Sequence, residues 1–268
     1  MANSQTDAGR PEHCSERGEY TSHNMFGSRW TTCPTCAEAE HNDREAAIAA
    51  ARLRERAMHR EMLSGLERRF LPATFANFEA VNDDQLRVLN ACSEFVKSIA
   101  QQKGGGLALI GKPGTGKTHL GSAMVNALIR EQDTAAMIYS GREIVRLLRS
   151  TWGDRKQPLL GAYDSRDRGY VEVRRPDSEE EMLRMFGETP LLVIDEVGMQ
   201  FGSDAETVQL FDVIDLRYRL QLPTVILSNL TGGELKKALG DRAYDRIREG
   251  SRLLACKWES RRKGGELA

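Results

Sequence analysis

Short apolar runs punctuate the chain, separated by amphipathic stretches. Leu107–Ile110, residues 136–139, Leu191–Ile194 and Thr224–Leu227 are such runs, and His119–Arg130 between the first two carries helical periodicity. A strand buried on both faces reads as a continuous apolar run rather than an alternation. This succession therefore predicts a parallel sheet between helical layers, a three-layer α/β domain. Upstream, Asp83 to Gln102 is amphipathic and leads into Gly104-Gly105-Gly106, which reads as a hinge. Asp43 to Phe70 reads as one helix, Ala-rich and dense in Arg and Glu, with Gly65 its only glycine. Its apolar stripe is thin, made of Ile48, Leu53, Met58, Met62, Leu63 and Leu66. Such a stripe suits either a solvated connector or a surface that docks into a partner's groove. Pro72 disfavours helix at the residue before it and marks a domain boundary. Trp152 to Ser178 is long and polar, with Gly153, Gly161, Gly169 and Pro176 breaking periodicity. It reads as a mobile loop or as a β-hairpin around Gly169.

Of the 268 residues, 40% are apolar and 29% charged, enough for a sizeable core and against wholesale disorder. No apolar run reaches the roughly 18 residues of a membrane helix, and Met1 to Pro11 lacks the apolar core of a secretory leader. A cytoplasmic protein is expected. The boundaries expected are a small module over 1–42, a charged helix over 43–70 and the α/β domain over 71–268.

Cysteine usage adds a candidate metal centre. Cys14, Cys33, Cys36, Cys92 and Cys256 are odd in number and widely spaced, which argues against a disulfide framework. Cys33-Pro34-Thr35-Cys36 is a C-x-x-C knuckle that lets two thiolates reach one tetrahedral Zn²⁺ from a tight turn, and Cys14 lies upstream. His13, His23 and His41 are available as a fourth ligand, none at a standard offset. The competing reading is a redox C-x-x-C, but such a motif belongs between a strand and a helix in a βαβ unit. A segment this small also has too little apolar material to fold without a staple.

The chemistry of the α/β domain is more specific. Gly111-Lys112-Pro113-Gly114-Thr115-Gly116-Lys117-Thr118 is a full G-x-x-x-x-G-K-[ST] loop, with a strand run before it and a helix from His119 after it. Its glycines let backbone N–H groups close around phosphates at a helix N-terminus. Lys117 offers a point charge to the β/γ-phosphates, and the Thr118 hydroxyl can ligate Mg²⁺. Gly111, Pro113, Gly114, Thr115, Gly116, Lys117, Thr118 and His119 form the expected nucleotide-binding set. Asp195 and Glu196 emerge at the end of the Leu191–Ile194 run. There Asp195 would hold Mg²⁺, and Glu196 would polarise the attacking water. Ser228-Asn229 ends the Thr224–Leu227 run, where Asn229 could sense the γ-phosphate and Ser228 could equally be a cap or turn residue.

Together, Gly111–Thr118, Leu192-Val193-Ile194-Asp195-Glu196-Val197-Gly198 and Leu227-Ser228-Asn229-Leu230 resemble the AAA+ ATPases of the DnaC/IstB type. These are bacterial and phage replicative-helicase loaders and their transposition relatives. The resemblance runs roughly from Phe70 to Arg262 and includes Phe70-Leu71-Pro72 with Thr74-Phe75, similar to the family's linker before the ATPase core. It implies an arginine finger within Leu239–Arg248, matched by Arg246 with Arg242 in support. It also implies a sensor-2 arginine in Lys257–Arg262, matched by Arg262. Some phage-type relatives carry a similar N-terminal cysteine cluster in which a His follows the first Cys by three positions, where this chain has Arg17. A finger acting on a neighbouring subunit's nucleotide implies a ring or open spiral of copies. Arg242, Arg246 and Arg248 also recur at helical spacing, as on a solvated helix face.

Charge is segregated beneath a formal net charge of -1. Between Arg142 and Arg175 there are nine Lys/Arg against five Asp/Glu, with Trp152, Tyr163 and Tyr170 interspersed; between Asp241 and Lys263 the count is eight against four. Basic stretches with aromatic platforms suit single-stranded nucleic acid, and the family implies a DNA-gripping insertion just after the second strand. The expectation is an ATP-dependent replication protein that loads a replicative helicase onto single-stranded DNA, with ATP, Mg²⁺ and Zn²⁺ bound and hydrolysis as a release switch. The alternatives are an IstB-like transposition regulator acting on duplex DNA, a P-loop kinase, and a zinc-dependent adaptor with a vestigial ATPase.

Overall fold

The computed structural model describes residues 9–25, 29–101, 105–151, 160–163, 170–173, 176–198 and 204–260. They divide into two compact units, Met1–Glu55 and Arg56–Ala268. In the first, β1 (Arg10–Cys14) and β2 (Gly18–Ser22) form an antiparallel hairpin whose last pair is Cys14 opposite Gly18. Gly18 has φ +83, a conformation natural to glycine at a tight turn. The buried Ser22 hydroxyl donates to the Thr31 carbonyl (2.7 Å), and the Arg10 guanidinium lies over the Trp30 ring.

Helix α1 (Pro34–Leu63) starts nearer the N-terminus than the Asp43 expected from sequence. Its first residue is a proline, whose missing N–H costs nothing in a first turn. The C-x-x-C knuckle is thus a helix start, with Cys33 just before it and Cys36 inside it, rather than a tight turn. The helix also stops short of Phe70. Gly65 takes φ +73, Ser64 Oγ donates back to the Glu61 carbonyl (2.6 Å), and only a short 3-10 turn follows at Arg68–Phe70.

In the second unit, α2 (Asp83–Ala100) is capped by Asn82, whose side chain accepts from the Gln85 N–H. There follow β3 (Gly106–Gly111), α3 (Lys117–Glu131), β4 (Ala136–Ser140), α4 (Gly141–Ser150), β5 (Leu160–Tyr163), β6 (Tyr170–Val173), α5 (Glu179–Glu188), β7 (Leu191–Asp195), α6 (Asp204–Arg219), β8 (Thr224–Ser228), α7 (Gly232–Gly250) and β9 (Ser251–Cys256). Strands β4-β7-β8-β3-β9 form one five-stranded sheet whose pairings are all parallel. Alternate residues of the apolar runs serve opposite layers. Leu107, Leu109, Val193 and Leu227 pack with α2 and α3, while Ala108, Ile110, Ile194 and Ile226 pack with α4 to α7. Burial on both faces is why these strands show no alternation.

Two differences from the sequence reading stand out. β9 was not expected, because this edge strand buries little beyond Leu254 and Cys256 and leaves Leu253 61% exposed. Gly106 is no hinge: it opens β3, where a side chain would strike Ser251 and the Thr224 carbonyl, and Gly104 lies outside the described residues. In the Trp152–Ser178 segment β5 and β6 form an antiparallel pair, Tyr163 opposite Tyr170, in keeping with the β-hairpin alternative; Trp152 itself lies outside the described residues. No helix among the described residues is long and apolar enough to cross a membrane.

Candidate nucleotide and metal sites

The phosphate loop leaves β3 at Gly111 and enters α3 at Lys117. Gly114 (φ +81) and Gly116 (φ +90) take left-handed conformations that side chains resist. Lys117 is buried, and its ammonium donates to the Gly111 and Lys112 carbonyls (2.7 and 2.8 Å) and to Thr115 Oγ1 (3.3 Å). It is therefore anchored across the mouth of its own loop. The outer wall of the loop comes from distant sequence. Trp258 Nε1 donates to the Thr115 carbonyl (2.9 Å), Ser260 packs on Gly114, Cys256 on Gly111 and Phe78 on Gly116. His119 meets the Thr74 carbonyl through Nε2 (3.1 Å), and Asn126 Nδ2 donates to the Ala73 carbonyl (2.8 Å), so α3 carries the 70–78 linker.

Thr118 Oγ1 donates to Asp195 Oδ2 (2.7 Å), and the Glu196 N–H donates to Asp195 Oδ1 (2.6 Å). Burial pushes the Asp195 carboxyl above its ordinary value, against the Thr118 and Glu196 hydrogen bonds that favour the ionised form. Two hard oxygen donors converge here, a donor set suited to Mg²⁺. Glu196 has φ +53, so the chain turns sharply as it leaves β7. Thr118, Asp195 and Glu196 open onto a cavity of about 700 Å³ that also meets Glu67, Arg69 and Arg142. Sequence reasoning missed Glu67, whose segment is brought here by tertiary contacts alone. Tyr139 Oη donates to the Leu63 carbonyl and the Ile138 N–H to that of Ser64 (2.9 and 2.7 Å). Arg60 pairs with Asp133, and Arg130 with Glu61 (2.7 Å).

In the N-terminal unit, the sulfurs of Cys14, Cys33 and Cys36 lie within 4.8 Å of one another, Cys14 and Cys36 at 3.4 Å. Tetrahedral zinc with Zn–S bonds of about 2.3 Å sets its sulfurs roughly 3.8 Å apart, so the trio fits that ion. The Cys36 backbone N–H lowers the pKa of the Cys33 thiol, as suits a ligand thiolate. Among the described residues no histidine nitrogen or carboxylate joins the trio. His41 instead faces Glu45 along α1 (3.8 Å), and His13 and His23 are exposed.

No profile of a known protein family matches the chain. A replicative helicase loader DnaC from Buchnera aphidicola subsp. Acyrthosiphon pisum is 33% identical over 211 residues, 76% of either chain. The Escherichia coli K12 protein of the same name is 30% identical, over 74% of this chain and 73% of its own. A crystal structure of the DnaC helicase loader superposes with a TM-score of 0.57 at 22% identity, over 70% of this chain and 99% of that one. The chain belongs to the DnaC family.

Its α/β unit has the P-loop AAA+ fold of that family, with the phosphate loop and the Asp195–Glu196 turn at the carboxyl ends of β3 and β7, the two strands that flank β8. The remaining candidates lie elsewhere. Ser228 Oγ donates to the Val197 carbonyl (2.7 Å) and receives the Leu230 N–H (3.1 Å), a turn-forming role. Asn229, next along, is exposed. Arg246 pairs with Asp215 (3.4 Å) and lies over the Tyr218 ring (4.2 Å), while Arg242 and Arg248 are exposed on α7. Arg246 lines a second cavity, of about 520 Å³, which includes no residue of the phosphate loop or the Asp195–Glu196 turn. Within one chain it is therefore not part of the nucleotide site. Arg262 lies outside the described residues. Arg217, which sequence reasoning passed over, is fully buried and donates to the Phe186, Thr189 and Pro223 carbonyls and to Thr224 Oγ1.

Proposed function

We propose that this DnaC-family chain is an ATP-dependent loader that delivers a replicative helicase to single-stranded DNA, with hydrolysis as the release step. The observation that carries the reading is the pairing of Lys117, held over the loop, with Thr118 and Asp195, joined at 2.7 Å. In this reading the loop N–H groups and Lys117 grip the phosphates, and Thr118 and Asp195 hold Mg²⁺, which supplies charge neutralisation on the phosphates. Glu196 orients and deprotonates the lytic water from the cavity side, and Asn229 lies beyond β8 as the γ-phosphate sensor. His119 fixes the linker against the first turn of α3. Arg246, leaving Asp215, acts as a finger on a neighbouring subunit's nucleotide with Arg242 beside it, and Arg262 serves as sensor 2. That arrangement requires a homo-oligomer, a ring or spiral.

The N-terminal unit holds structural zinc through Cys14, Cys33 and Cys36 and, with α1, grips the helicase. The names of the relatives support helicase loading, and the basic Arg142–Arg175 stretch supports contact with single-stranded DNA.

The test uses the full chain, its organism's replicative helicase and single-stranded DNA. Arg246→Ala should bind Mg·ATP as the native chain does and lose at least about a hundredfold in hydrolysis, the lower range for removing such a transition-state group. Undiminished turnover removes Arg246 as a finger. Failure of the native chain to bind the helicase at any nucleotide concentration removes the loader reading.

A further inference from the structure

The three closing described residues, Trp258 to Ser260, and the strand before them wrap the outside of the phosphate loop. Most of these contacts are steric. Cys256 leaves no room for a side chain at Gly111, and Ser260 leaves none at Gly114. One contact is directional: the indole N–H of Trp258, 8% exposed, donates to the Thr115 carbonyl. A peptide unit is planar with its C=O and N–H antiparallel. Fixing the Thr115 carbonyl outward therefore fixes the Gly116 N–H on the opposite side, away from Trp258 and toward the interior of the loop. Glycines on either side of Thr115 give this peptide little intrinsic resistance to rotation, since both accept either sign of φ. Thr115 Oγ1 cannot hold it, because that hydroxyl donates to the Lys112 carbonyl (3.0 Å).

We propose that Trp258 is a positioning residue for nucleotide, locking the Thr115–Gly116 peptide so that the Gly116 N–H is preset to donate to a phosphate oxygen. The proposal rests on the reading of the loop as an ATP site. Trp258 touches neither phosphate nor Mg²⁺ in this scheme. It acts through the backbone, and it makes nucleotide affinity depend on the segment that follows β9. The rest of the loop is held differently: Lys117 secures the Gly111 and Lys112 carbonyls, and nothing else among the described contacts secures that of Thr115.

Trp258→Phe keeps an aromatic ring in the core and deletes the donor. Titration of the full-length variant with a fluorescent ATP analogue and Mg²⁺ yields both a Kd and a binding stoichiometry. The expected result is a Kd about tenfold weaker at unchanged stoichiometry, the usual consequence of losing one buried hydrogen bond. An unchanged Kd, whether or not the stoichiometry falls, overturns the proposal, since a merely structural tryptophan reduces the folded fraction and not the affinity of what remains. A second measurement does not depend on that variant. In a chain carrying W30F and W152F, Trp258 is the sole indole, and saturating Mg·ATP should alter its emission; an unaltered spectrum overturns the proposal. If the native chain binds no ATP analogue, the nucleotide reading itself falls, which is distinct from native binding with an unaffected variant.

Discussion

Replacing Lys117 by Met isolates the charge at the centre of the site. Methionine is unbranched and similar in length, so the buried stem stays filled while the ammonium and its bonds to Gly111, Lys112 and Thr115 disappear. Without nucleotide, two loop carbonyls lose a partner, a cost of roughly 1–3 kcal/mol, offset in part because a buried ammonium no longer has to be desolvated. The melting temperature should therefore move by only a few degrees, at about 2–4 °C per kcal/mol for a domain of this size. With nucleotide the balance is one-sided. Two charge-assisted hydrogen bonds to phosphate oxygens, each worth about 1.5–3 kcal/mol, are lost, which corresponds to a roughly 100- to 10,000-fold weaker Kd. Titration with a fluorescent ATP analogue reads the affinity, and circular dichroism melting reads the stability. A Kd within about threefold of the native value would refute the assignment of Lys117 to phosphate, and with it the argument built on its anchoring.

Two further outcomes are expected. Burial pushes the Cys92 thiol up to about 12 and the Cys256 thiol up to about 11, so both stay protonated and unreactive at pH 8. Cys36 is likewise pushed up to about 12, but chiefly by its hydrogen bond with Cys14, a partner that alkylation of Cys14 removes. Alkylation at that pH after chelation should therefore label Cys14, Cys33 and Cys36 with release of zinc, and reach Cys92 and Cys256 only in denaturant; mass spectrometry showing no metal released, or five labelled thiols in the native chain, contradicts this. Gly65→Ala should cost at least about 2 kcal/mol, from a left-handed backbone at φ +73 and a methyl driven onto the Ile138 carbonyl and the Tyr139 ring. That corresponds to a melting temperature lowered by about 4–8 °C, and an unchanged melting curve would contradict it.

What the chain declares locally is its phosphate chemistry. Gly114 and Gly116 must be glycines because of their own φ, and Lys117 and Thr118 act within one loop and helix turn, so a contiguous motif carries the groups that face the phosphates. The Leu107–Ile110 and Leu191–Ile194 runs are legible for a similar reason: burial on both faces demands apolar residues at every position, whichever strand lies beside them. Helix α1 was legible as a helix but not in its ends, because Pro34 and Gly65 act through single backbone positions within a featureless polar stripe.

Tertiary structure alone decided the rest. Trp258 lies 143 residues from Thr115 in sequence, and no periodicity links them. Glu67 gains meaning only because Leu63 and Ser64 are hydrogen-bonded to β4 beside the Asp195 turn. Arg217 sits in an ordinary helical position, yet it folds into carbonyls supplied by the last turn of α5 and by the connections that lead into β7 and β8. Cys14 joins the C-x-x-C pair only through the hairpin. A motif is readable when the groups that do the chemistry are neighbours along the chain. Where a buried donor must find its acceptor across the fold, the residue type records the need for a partner, and only packing names it.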